Sequence, residues 1–156
     1  MVRLPPGVKD DPVRRWALPD RLFFAAGACH ILCAAFLRRH PDSGARPIWF
    51  RPAPGFTGNH IVAEGAGWIF DARGYSRAEA FRAHMWRKSR RWWPGWAAED
   101  IPLPPHVLVS EALSRRIDGL WLREPGQFLH NALPRAEAFL DRFSAPPCRQ
   151  SSGHSA

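Results

Sequence analysis

Proline punctuates this chain too often for a helical bundle. Sixteen prolines are spread over 156 residues; each removes a backbone donor and fixes φ, so elements must be short and loops constrained. A chain of this length has room for one domain around one modest core. Hydrophobic residues make up 46% and charged residues 23%, a balance that argues against wholesale disorder. Eight tryptophans and ten phenylalanines are expensive to leave in water, so most are expected inside.

Between the prolines the pattern changes type several times, which predicts an α+β fold. Residues 1–18 lack periodicity and read as an irregular arm that packs through Trp16 and Leu18. A single domain over 19–143 follows, and 144–156, with Cys148, read as a loose tail. From Asp20 the pattern is helical. Gly27 interrupts it, giving a short helix before it and a longer one after. In the longer helix Cys29, Leu32, Cys33 and Phe36 have the spacing of a buried stripe. Arg38, Arg39 and His40 suit its C-terminal end, and Pro41 stops it. Trp49-Phe50 reads as a short strand.

The segment His60–Ala63, the turn Gly65-Ala66-Gly67 and the segment Trp68–Asp71 predict an antiparallel hairpin. Ser76 and Glu79 have the spacing of a capping box, so a helix is expected from Ser76 toward Arg91, broken by Pro94-Gly95. Residues 101–105 read as a proline-rich loop. Ser110–Ile117 reads as helix, or Val107–Val109 as a strand leading into it. Trp121-Leu122 reads as a strand, and Pro134–Phe143 as a last helix.

The chemistry centres on one thiol. A nucleophilic cysteine works as thiolate, so its surroundings must favour loss of the proton. Cys29 falls at the start of the longer helix, where unpaired backbone N–H groups lower a thiol pKa and can hold an oxyanion. Small neighbours, Gly27 among them, leave room for a substrate. The competing interpretation is a small buried core side chain, and Cys33, deeper in the helix, is expected to be only that. His60 and Asp71 sit at the outer ends of the hairpin strands, as near cross-strand partners. Asp71 can then orient the imidazole and His60 serve the thiol. The plain alternative has Asp71 capping the following turn and His60 as an ordinary edge residue.

This text, Gly27-Ala28-Cys29-His30, then His60-Ile61-Val62-Ala63, then Trp68-Ile69-Phe70-Asp71-Ala72-Arg73-Gly74, resembles the papain-like cysteine peptidase superfamily, especially its transglutaminase-like branch. The resemblance covers about residues 20–80. It implies a helix carrying the cysteine packed on a small antiparallel sheet, with Cys29 as nucleophile, His60 as general base and acid, and Asp71 as orienting residue. It implies a hydrolase or acyltransferase that cleaves or exchanges an amide or peptide bond through a thioester, without a cofactor. The glutamine that classical proteases place before the cysteine has no counterpart, since the only glutamines are Gln127 and Gln150.

Other features stay open. His30, next to the thiol, lines the cleft or, with more weight, lies at the surface; on a helix it points about 100° away from Cys29. Zinc on Cys29, Cys33 and His60 lacks a tight CxxC pair, so no metal is expected. Arg87, Lys88, Arg90 and Arg91, beside Trp86, Trp92, Trp93 and Trp96, form a possible anion-binding segment. The favoured alternative is that the tryptophans anchor a helix end and the arginines lie over them. The formal net charge is +8, and only Lys9 and Lys88 are lysines. The charge therefore reads as a field for anionic partners or as a compositional bias toward arginine. A binding or adaptor role on the same fold, and nucleic-acid binding through residues 86–96, are the alternatives to an enzyme.

Three cysteines do not suggest a disulfide scaffold. No stretch approaches the roughly 20 apolar residues that span a bilayer, and the first residues do not read as a signal peptide. Free thiols and a cytoplasmic location are expected.

Overall fold

The structure is a computed structural model and describes residues 4–147; Cys148 and most of the expected tail lie outside them. The fold is α+β: a five-stranded antiparallel sheet with helices on both faces. The strands are β1 (Arg46–Pro52), β2 (His60–Glu64), β3 (Trp68–Asp71), β4 (Gly74–Arg77) and β5 (Ala98–Pro102), in the order β4-β3-β2-β1-β5. The helices are α1 (Pro12–Trp16), α2 (Asp20–Ala25), α3 (Cys29–Arg39), α4 (Ala78–Trp92), α5 (Glu111–Ser114) and α6 (Ala132–Leu140).

Strict alternation along the central strands builds two cores. Trp49, Ile61, Ala63, Trp68 and Phe70 face α3 and α6, while Ile48, Phe50, Val62 and Ile69 face Phe81 and Met85 of α4. Both faces are buried, so β1–β3 read as continuous apolar runs instead of the half-polar alternation of a sheet facing water. Phe36 of α3 stacks on Phe70 at 4.4 Å between ring centroids, a contact worth about 1 kcal/mol beyond its buried area. Trp96 is fully buried and donates its Nε1–H to Thr57 O at 2.9 Å. It ties the chain after α4 back to the loop ahead of β2.

Several local expectations need correction. The capping-box reading of Ser76 and Glu79 fails because Ser76 lies inside β4, paired with Ile69. Helix α4 starts two residues later, after Arg77, with no side-chain cap. Sheet pairing with β3 outweighed the local cap, which is worth only about 1 kcal/mol. The proline-rich stretch contains the end of β5, an edge strand along β1, where a proline can sit without breaking an interior ladder. Val107–Val109 belongs to a 3₁₀ turn, and the helix expected over 110–117 is the single turn α5, capped by Ser110 Oγ. Trp121-Leu122 is not a strand: Leu122 is buried and Trp121 exposed. The arm is not wholly irregular. Asp11 Oδ1 accepts from the N–H groups of Val13 and Arg14 and starts α1.

No helix among the described residues is long and apolar enough to cross a membrane.

Candidate active site

The break expected at Gly27 separates α2 from α3. Gly27 has φ +118°, a conformation open to glycine. It also makes space, because a Cβ there would come within 2.3 Å of Arg15 Nη2. The turn delivers Cys29 as the first residue of α3, half-buried and with a free thiol. The first helical hydrogen bonds run from Ile31 and Leu32 to Ala28 O, which leaves the N–H groups of Cys29 and His30 outside the ladder. Ala28 at the cap has no side chain to accept them.

His60 is the first residue of β2, at the end of the sheet, and its ring lowers the Cys29 thiol pKa. Its Nε2 lies 3.2 Å from Asp71 Oδ2, and both residues are buried. With Nε2 so engaged, Nδ1 is the nitrogen left for sulfur. The pair is diagonal, not directly across. Ala63 pairs with Phe70, which sets Asp71 opposite Val62, two residues along from His60. Alternation still puts both side chains on one face, within reach of each other. The imidazole lies parallel to the Phe81 ring, at 6.1 Å and 8°, which limits its freedom. Asp71 Oδ1 accepts from Arg73 N–H at 2.9 Å, and the Arg73 guanidinium approaches the same carboxylate at 3.2 Å. The turn-capping role and the ring-orienting role thus coexist.

His30 is not at the surface. It is buried, its Nε2–H donates to Arg123 O at 2.9 Å, and it too lowers the Cys29 thiol pKa. Two imidazoles therefore flank one sulfur. On a helix the Cβ directions of adjacent residues diverge by about 100°, but the imidazole is long enough to turn back to the neighbouring sulfur. The tether at Arg123, 93 residues away in the chain, had no local signature.

The electrostatics follow from these contacts. Burial alone would push the Cys29 thiol up, but the hydrogen bonds from His30 and His60 and their charges outweigh it and hold the thiol well below its usual range. Burial alone would lower His60; the hydrogen bonds to Asp71 and Cys29 outweigh it and push the ring up to about 9. Asp71, despite its burial, is held below the usual carboxylate range by His60 and then Arg73. These directions favour a thiolate beside an imidazolium that Asp71, as carboxylate, supports. Cys33 sits in the α3-side core, and burial followed by the charge of Cys29 raises its thiol.

Cys29, His30 and His60 open onto a cleft of about 780 Å³, together with Gly27 and Trp49. Residues of the N-terminal arm form one wall and residues 119–123 another. The anion-binding segment expected in α4 is placed elsewhere, and among its four cations Arg90 Nε is committed to Trp96 O. Lys88 lies over the Trp92 ring at 5.3 Å. No group of three or more His, Cys, Asp or Glu side chains among the described residues is arranged to hold a metal ion. Compared with protein families, curated proteins and solved structures, the chain matches none.

Proposed function

We propose that the protein is a thiol-dependent hydrolase or acyltransferase acting on an amide or peptide bond, on a papain-like core of the transglutaminase-like kind. One observation carries this reading: the buried His60–Asp71 pair, hydrogen-bonded at 3.2 Å, acts on a Cys29 thiol that stands at an uncapped helix start beside an open cleft. A structural cysteine needs none of these partners.

The thiolate of Cys29 attacks the carbonyl carbon, and the developing oxyanion is received by the N–H groups of Cys29 and His30, which fill the place of the missing glutamine. The His60 imidazolium gives its Nδ1 proton to the leaving amine, which departs and leaves a thioester on Cys29. Water, or an acceptor amine, then loses a proton to His60 and attacks the thioester. The acid is released, or the acyl group transferred, and the sulfur leaves as thiolate. Asp71 keeps Nε2 protonated throughout and stabilises the imidazolium.

The test has two parts. Iodoacetamide at neutral pH should alkylate Cys29 at least about tenfold faster than a small model thiol, as a lowered thiol pKa requires. Incubation with a library of fluorogenic amides should then give turnover that Cys29→Ala abolishes. Labelling of Cys29 no faster than the model thiol would remove the reading.

A further inference from the structure

The cleft lining holds a buried cation that the reaction as written does not use. Arg15 of α1 is only 7% exposed. Its Nη1 and Nη2 donate to the backbone carbonyls of Lys9 (3.5 Å) and Gly27 (3.1 Å). Its Nε has no hydrogen-bond partner among the described residues. None of its hydrogen bonds therefore reaches a carboxylate. A guanidinium withdrawn from water without a carboxylate in hydrogen-bond contact is costly to keep, yet the surrounding chain is shaped to keep it. Gly27 is free of a Cβ where one would strike Nη2, and Phe128 presents its ring at 5.2 Å from Cζ.

A second guanidinium faces it. Arg123 lines the same cleft, its carbonyl holds His30, and its Cζ lies 5.6 Å over the exposed Trp121 ring. The charges of Arg123 and Arg15 repel, while Asp10 and Cys29 attract Arg15. Lys9 adds a third cation to the lining, and among the described residues Asp10 is its one carboxylate. The cleft is thus positive beside a nucleophile that is itself anionic, an arrangement suited to drawing in a negative ligand. Guanidinium groups match the planar fork of a carboxylate, the anion that peptides carry.

We propose that the cleft selects substrates bearing a carboxylate, seated by Arg15 and Arg123 while the scissile carbonyl meets Cys29. The proposal rests on Cys29 being the nucleophile, and makes the enzyme one that acts on acidic amides or peptides. Arg15 and Arg123 are specificity residues in it, not participants in bond making.

Paired alkylating probes of nearly equal size separate the two claims. Iodoacetate and iodoacetamide are applied to the full chain, and labelling at Cys29 is timed by peptide mass spectrometry. The iodoacetamide rate reads the nucleophile. The iodoacetate-to-iodoacetamide ratio, relative to that of a small neutral thiol, reads charge selection, so each can fail without the other. The ratio is expected to exceed the reference by about tenfold or more, and to fall toward it in Arg15→Met and Arg123→Gln. Arg123→Gln carries the test if Arg15→Met does not fold, because the Arg123 side chain is only half-buried. A ratio at or below the reference in the native protein, or one unchanged by Arg123→Gln, overturns the proposal. The His30 and His60 rings remain in both variants, so a preference due to them alone would survive the substitutions and count as the second of those outcomes.

Discussion

The first turn of α3 and the turn that follows it carry the same side chain in opposite circumstances. Cys29 and Cys33 lie one turn apart on the helix. At Cys29 the backbone N–H groups are still outside the ladder and two imidazoles approach, so the thiol is held low. At Cys33 the ladder is closed and the neighbours are apolar, so burial drives the thiol up. Residue type does not decide thiol acidity here; four positions of travel into a helix do.

The sharpest way to break the comparison is to delete each sulfur in turn. Cys29→Ala should abolish turnover and leave thermal stability nearly unchanged. Cys33→Ala should retain most activity but cost about 1 kcal/mol in urea unfolding, as expected for a small buried truncation. Equal losses of activity in both variants would mean that the two turns are not chemically distinct.

Removing the partner comes next. His60→Gln should return the Cys29 pH–rate profile toward that of an ordinary thiol, rising toward pH about 8.5. The native profile should instead stay flat across neutral pH, because the imidazolium keeps the thiolate in place. Stability carries the same signature. His60, raised to about 9, contributes stability that is complete below its unfolded value of about 6.5 and lost as pH rises through about 9. Asp71, held low, contributes above the ordinary carboxylate range and loses its share in acid. Unfolding free energies of the native and His60→Gln proteins, measured across pH, should converge at alkaline pH.

A smaller effect is expected from the turn ahead of Cys29. Gly27→Ala forces a Cβ onto the Arg15 guanidinium at φ +118°, and should cost about 1–3 kcal/mol by thermal unfolding. Iodoacetamide labelling of Cys29 should slow with it, since the helix start shifts. The smallest effect belongs to α4. Neutralising Arg87 and Arg91, both exposed, should change stability by less than about 0.5 kcal/mol and leave Cys29 labelling alone.

What was legible in the sequence was local. Gly27, Cys29 and Pro41 bracket α3 through glycine and proline chemistry that acts within a few residues, and the spacing of His60 and Asp71 about a glycine turn made a hairpin. The remainder depends on contacts distant in the chain. His30 is drawn inward by Arg123 O, Arg15 meets the Gly27 turn across 12 residues, and β4 exists because β3 accepts it at the expense of a local cap. The arm read as irregular forms a wall of the cleft for the same reason: nothing in residues 4–18 alone indicates what they will lean on.

Asp71 steadies the imidazole with one oxygen and closes the bend into β4 with the other. Two duties on one carboxylate separate ancestry from livelihood. A descendant that had lost the sulfur would still keep the aspartate for its architecture. Among relatives, the paired retention or joint disappearance of the sulfur and the ring will therefore report on the proposed chemistry, while the aspartate, kept for the bend alone, will be a silent witness.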